Sequence, residues 1–176
     1  CPFAPELFFP FAPLKSPPPC CFPPVLFPLE PEADKIEITD VAHALSLICR
    51  GNGHVKTFFS VGQHCIHCAL EAEARGYGNR IALACLLHDA SEAYMSDVPR
   101  PFKQHLSDYI SHEKTLLDIV YTKYLGSRLD EKEEKKVKEI DDDMLYYDLK
   151  ILLRGVSEEA PPIMKTHFSY DFPLRR

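Results

Sequence analysis

Four residues carry the strongest chemical signal in the chain. His88 and Asp89 stand side by side where an apolar run gives way to polar residues, and His64 and Asp141 lie further off on either side. An imidazole next to a carboxylate is a ready pair of metal donors. Adjacent helical residues point about 100° apart, yet both reach an ion wedged between helices when neighbours supply the other ligands. Glu92, four residues after His88, falls on the same face of a continuous helix. Two imidazoles and two carboxylates make a mixed nitrogen and oxygen set that suits one borderline divalent ion, whether manganese, cobalt, iron or zinc, and leaves positions open for water or substrate. Taken alone, a His-Asp pair at a helix end is more often a solvated terminus. Spacing also does not separate Asp141 from Asp142 and Asp143, because the stretch from Asp130 to Asp143 holds eight acids and four lysines and reads equally as an exposed helix face.

Helices have to position these residues. Thr39 or Asp40 caps a first helix with an apolar stripe of Val41, Ala42, Leu45, Ile48 and Cys49, which Gly51 and Gly53 stop. Ser60 and Gln63 form a capping box before a second helix, whose apolar positions are Val61, Cys65 and Ala69 and whose first turn holds His64. Gly76 and Gly78 end it. Asn79 then opens a segment that is apolar nearly all round, through Ile81, Ala82, Ala84, Cys85, Leu86 and Leu87, as expected of a central buried helix ending before Pro99 and Pro101. Helical periodicity returns over residues 107–124, and Asp130 with Glu133 opens a last long helix reaching Leu153, terminated by Gly155 and Pro161. The run from Thr57 to Val61 hints at a strand, in competition with the capping role of Ser60. These signals predict an all-α bundle of about five to six helices within residues 29–176.

The 176 residues suffice for one domain, 45% of them hydrophobic and 26% charged. No apolar run approaches the roughly 20 residues of a membrane-spanning helix, and a net charge of -6 offers duplex nucleic acid little purchase. Eleven of the 16 prolines fall in the first 31 residues. That density forbids regular structure, so residues 1–28 are expected to form an irregular tail rich in Pro and Phe, without the basic start and continuous apolar centre of a secretory signal. Of seven cysteines, Cys49, Cys65, Cys68 and Cys85 lie within helical segments, which points to reduced thiols and a cytoplasmic protein. Cys65-Ile66-His67-Cys68 invites a structural zinc reading, but no second C-x-x-C exists to complete four ligands and Cys65 lies on the apolar stripe, so core packing is expected. His43 reads as a buried hydrogen-bonding residue or as part of the pocket, and the former is expected.

Four stretches, Asp40-Val41-Ala42-His43-Ala44-Leu45-Ser46, Ser60-Val61-Gly62-Gln63-His64, Leu87-His88-Asp89-Ala90-Ser91-Glu92-Ala93-Tyr94 and Asp97-Val98-Pro99-Arg100-Pro101, are followed by Val137-Lys138-Glu139-Ile140-Asp141. Together they resemble the HD-domain metal-dependent phosphohydrolases, and most closely the branch that contains the bacterial nucleoside 5'-monophosphatases. The resemblance covers about residues 29–154. It implies an HD-type helical bundle with Asp141 as the fourth ligand beside His64, His88 and Asp89. It further implies hydrolysis of a (deoxy)nucleoside 5'-monophosphate or similar small phosphorylated substrate by attack of a metal-activated water. Glu92 would orient or deprotonate that water, Asp97 would position the substrate or assist the leaving oxygen, and Arg50, with His54 as a weaker companion, would bind the phosphate. Members of the family tend to be homodimers. The tail at the start has no counterpart in the family pattern, and the ending at residues 171–176 leads to the expectation that a closing helix is lacking. Two other readings compete. One is hydrolysis of a cyclic or alarmone nucleotide, although alarmone enzymes usually carry Glu-Asp after the HD pair and here Ala93 follows Glu92. The other is a non-catalytic module that binds metal or nucleotide.

Overall fold

Two capping boxes set where the key helices begin. The Ser60 hydroxyl accepts from the amide of Gln63 while the Gln63 side chain accepts from the amide of Ser60, and Asp130 and Glu133 repeat the arrangement. Each box satisfies amides that a helix start otherwise leaves orphaned. The structure, a computed structural model, describes residues 26–153 and 162–170. The first 25 residues of the proline-rich tail, with Cys1, Cys20 and Cys21, lie outside the described residues, as do Gly155, Pro161 and the ending at 171–176.

Among the described residues the helices are α1 (Ile38–Leu47), α2 (Val61–Ala74), α3 (Gly78–Leu87), α4 (Glu92–Met95), α5 (Arg100–Lys103), α6 (Ser107–Leu125) and α7 (Glu131–Leu152). The chain is all-α, as expected, with five longer helices and two single turns. Three local expectations need correction. Thr39 and Asp40 do not cap α1, which starts at Ile38 after Glu37 without a side-chain cap. Likewise α3 starts at Gly78, ahead of Asn79. The run from Thr57 to Val61 makes no strand, only an isolated antiparallel bridge between Ser60 and Cys49, closed by Arg50 N donating to Phe59 O and Val61 N to Ile48 O, both at 2.9 Å. A β-branched run this short has no partner strand to extend the ladder, so the cap at Ser60 prevails.

The core forms where α3 packs between α2, α6 and α7. Its Ala82, Ala84 and Cys85 are small, which lets those neighbours come close, and they meet Cys65, Cys68 and Ala72 of α2, Leu116 and Val120 of α6, and Val137, Ile140 and Met144 of α7. At the α1–α2 crossing Gly62 lies close against α1, where a Cβ would stand 3.4 Å from the Leu45 carbonyl. Residues 162–170 lie across α2, where the buried carboxylate of Glu71 accepts from the amides of Met164 (2.7 Å) and Lys165 (2.9 Å) and from Arg75 Nε (2.7 Å). No helix among the described residues is long and apolar enough to cross a membrane.

Because Ile140 of α7 is fully buried in the core, Ile140→Ala is expected to lower unfolding free energy by about 2–5 kcal/mol. Leu47→Ala, at a position 65% exposed, should stay within about 0.5 kcal/mol. Urea denaturation of the two variants checks the contrast.

Candidate metal centre

The capping box at Ser60 starts α2 so that His64, in its first turn, enters the core fully buried. Its Nδ1 lies 3.0 Å from Oδ2 of Asp148 on α7, and its Nε2 lies 3.2 Å from Oδ1 of Asp141, two turns earlier on the same helix. Burial alone would raise the Asp148 carboxyl, but hydrogen bonds from His64 and His67 hold it down at about 2. An ionised carboxylate only accepts, so Nδ1 of His64 donates to Asp148, while Nε2 faces a second carboxylate, Asp141, and that contact is met by a proton or a metal ion at Nε2.

His88 caps the C-terminus of α3, and its Nδ1 lies 2.7 Å from the carbonyl of Cys85. A carbonyl only accepts, so here too the proton is on Nδ1 and Nε2 turns inward. Oδ2 of Asp89 and Oδ1 of Asp141 stand 3.3 and 3.5 Å from that Nε2, yet the atom is buried with no hydrogen-bond partner. Two imidazole nitrogens and one carboxylate oxygen thus converge. A proton on each ring, or one metal ion between them, would satisfy this set. Burial opposes a charge on His88, but Asp89 and Asp141 outweigh it and hold its proton affinity well above the ordinary imidazole range. Asp141 itself is held well below the carboxylate range, burial notwithstanding, by the His64 and His88 rings beside it. The donor set fits a divalent ion, because an ion about 2.1 Å from nitrogen and oxygen ligands places adjacent donors about 3.0–3.4 Å apart, close to the observed 3.2–3.5 Å.

Arg50, in the irregular turn after α1, donates through Nη1 to Oδ2 of Asp89 at 2.9 Å. Although burial disfavours its charge, Asp89, Glu92, Asp97 and Asp141 more than restore it. Glu92 does not continue α3. The chain turns at residues 89–92, with Glu92 N donating to Asp89 O at 3.0 Å, and Glu92 begins α4 instead. Its carboxyl is 5% exposed, Oε2 has no partner, and burial with Asp89 and Asp97 pushes its pKa up to about 10 against the pull of Arg50 and Lys103. Asp97 is half-buried in the loop after α4. The structure thus gathers His64, His88, Asp89, Asp141, Arg50, Glu92 and Asp97. It does not bring in His54, which is exposed and has no hydrogen bond or ion pair to the cluster. Nor is His43 buried as expected; it is exposed, and its carbonyl accepts from the Ser46 hydroxyl.

Cys65 and Cys68 pack in the core as expected, and they also border the donor cluster. Sγ of Cys68 lies 3.4 Å from Nε2 of His64. Donor atoms of His64, Cys68 and His88 lie within 4.8 Å of one another, and so do those of Cys65, His88 and Asp89. Cys68 is one helical turn from His64 and shares its face, while the remaining donors arrive from another helix. The missing second C-x-x-C is therefore no test of these thiols. Burial pushes both thiols up.

A cavity of about 550 Å³ opens on His88, Asp89 and Asp141 between α5, α6 and α7. Its wall carries Arg100, Lys103 and Lys138, and Leu117, Tyr121 and Val137 make it partly apolar. Nη2 of Arg100 donates to Oδ2 of Asp141 at 2.6 Å. Sequence reasoning missed Arg100 and Asp148. Arg100 stands inside a quoted motif, so its position carried a signal, whereas Asp148 is one more acid on an acidic helix.

No family model matches the chain. The uncharacterised protein YfdR of Escherichia coli strain K12 is 40% identical over 91 residues, which are 52% of this chain and 48% of that protein. An uncharacterised protein of Rhodobacter capsulatus is 35% identical over 101 residues, 54% of this chain and 52% of its own length. The chain spans about half the length of these curated relatives.

Glu92 gives a test in the presence of a chelator. Its carboxyl titrates near 4.5 in the unfolded chain and near 10 in the fold. Between those values the folded state retains a proton that the unfolded state has released, so stability falls as pH rises through that window. Glu92→Gln removes this fall. The variant should gain on the wild type progressively from acid to alkaline pH in urea titrations, and parallel pH profiles would show that Glu92 ionises as freely in the fold as in the unfolded chain.

Proposed function

We propose that the chain is an HD-type metal-dependent phosphohydrolase acting on a phosphate monoester, foremost a (deoxy)nucleoside 5'-monophosphate. The observation that supports this most is the convergence of the Nε2 atoms of His64 and His88 on Oδ1 of Asp141, with His88 Nε2 buried and unpartnered. His64, His88, Asp89 and Asp141 would hold one divalent ion, with manganese, cobalt, iron and zinc as the candidates. Such an ion supplies Lewis-acid activation of water and of the phosphoryl group.

The protein's own residues account for the rest of the reaction. Glu92, with its unpartnered Oε2, keeps its proton up to about pH 10 in the ion-free fold; a cation held beside Asp89 would lower that affinity, and the ionised carboxylate would then take a proton from the attacking water. Two aspartates balance the charge of a divalent ion, so the phosphate needs a separate cation. Arg50 stands against Asp89 for this role, and Arg100 at the cavity mouth is a second cation near the same ligands. Asp97 assists at the leaving oxygen. The partly apolar cavity beside His88 has the size of a small-molecule site, which lies within about 300–1,000 Å³, and would seat the nucleoside. The four described cysteines are free thiols, three of them buried, which supports a reducing, cytoplasmic setting. A homodimer is part of the same proposal, by analogy with the family.

Metal analysis together with a screen of phosphate monoesters over several divalent ions tests this reading. His88→Ala and Asp89→Ala are each expected to lose both metal and turnover, and undiminished metal content in both would overturn the ligand assignment. Glu92→Gln should keep the metal while turnover drops about 10²- to 10⁴-fold, the usual contribution of a general base. Full metal loading with no hydrolysis of any phosphate ester, by the wild type included, would favour the non-catalytic module instead.

A further inference from the structure

We propose that Asp148 is a positioning residue that sets the tautomer of His64, and that Tyr170 and His67 hold it in place, so that metal affinity depends on the docking of residues 162–170. This rests on the reading of His64 as a metal ligand. Asp148 is 3% exposed and belongs to no motif singled out above. Its two oxygens divide their work. Oδ1 faces two groups, the hydroxyl of Tyr170 at 2.8 Å and Nδ1 of His67 at 3.2 Å, whereas Oδ2 faces Nδ1 of His64 alone at 3.0 Å. Nε2 of His67 in turn lies 2.9 Å from the carbonyl of Ser169, and its ring is packed by Phe168 (4.7 Å between centroids) and Tyr170 (5.1 Å).

A carboxylate that merely fastened residues 162–170 to the bundle would need only the contacts on Oδ1. The contact on Oδ2 reaches the opposite way, into α2, and meets the one nitrogen of His64 that must carry a proton if the other is to bind metal. Carboxylates behind ligating histidines commonly act in this manner, fixing ring orientation and raising ligand basicity. The dependence on residues 162–170 follows from the same geometry. Tyr170 donates to Asp148, and His67, clamped by Phe168 and the Ser169 carbonyl, faces the same oxygen. Loss of either contact frees the carboxyl to turn about its own axis and relax its hold on His64.

Asp148→Asn is the informative substitution. An amide offers one acceptor oxygen and one donor NH₂, and the least disruptive placement leaves the oxygen with Tyr170, whose hydroxyl donates to that position at 2.8 Å. The NH₂ then faces Nδ1 of His64, which must become the acceptor while the proton moves to Nε2. An Asn in front of a histidine imposes the wrong tautomer in just this way in serine proteases. Zinc titration of the full chain should show affinity reduced about 10- to 100-fold in Asp148→Asn. Tyr170→Phe should show a smaller loss in the same direction. The decisive readout is the ¹⁵N spectrum of the histidine rings with chelator present: His64 should carry its proton on Nδ1 in the wild type and on Nε2 in Asp148→Asn.

The possible failures are distinct. If the wild type binds no zinc while the tautomer still switches, the metal reading fails and the positioning of His64 stands. If the wild type binds zinc and Asp148→Asn matches it in affinity and tautomer, the proposal is overturned. Should Asp148→Asn not fold, Tyr170→Phe with unchanged zinc affinity overturns the coupling to residues 162–170, and a wild-type His64 protonated on Nε2 overturns the role of Asp148.

Discussion

The convergence of polar atoms on one point between α2, α3 and α7 is the constraint around which this bundle is arranged. Nothing about helix packing requires two imidazole nitrogens and a carboxylate oxygen to face one another in a dry interior; an apolar contact would serve stability better. The surrounding structure spends its polar groups on holding them there. The Cys85 carbonyl and the Asp148 carboxylate each pin the far nitrogen of a histidine, Arg50 holds Asp89, and Arg100 holds Asp141. His64, His88 and Asp141 are thus each oriented by a partner on the outer side, whereas Arg50 bonds the same Asp89 oxygen that faces His88. The inner sides of those three are left to face one another.

The same arrangement explains why the electrostatics of the site are uneven. Asp141 and Asp148, bonded to histidines, are driven down, while Glu92, only a few residues from Asp89 and buried without a partner, is driven up to about 10. Carboxyls in one small region therefore differ widely in proton affinity. Groups whose surroundings push them apart in this way are the ones that divide the roles of ligand and proton carrier.

The parts legible in the sequence were those decided locally. The two capping boxes, the apolar period of α3 and the His-Asp pair at its end depend on neighbours within a few residues, and the structure reproduces them. Misplaced features depended on distant contacts. Glu92 was expected one turn along from His88, but no breaker in His88-Asp89-Ala90-Ser91-Glu92 announces the turn that the chain makes there. Asp148 could not be told from other acids on α7 because its distinction is burial against α2 and residues 162–170. Cys68 looked like packing and is packing; that it also borders the donors follows only once α3 is laid against α2.

One feature of α3 reaches beyond its role as a spacer. Its ten residues end at the cluster, so the helix directs its carbonyl terminus, equivalent to about half a negative charge, toward the place where the donors meet. This contribution comes from the peptide backbone and cannot be protonated. The carboxylates lose their charge in acid, but the end of the helix does not. Part of the attraction for a positive ion at this position is therefore built into the chain direction of α3 and would survive any substitution that leaves that helix formed.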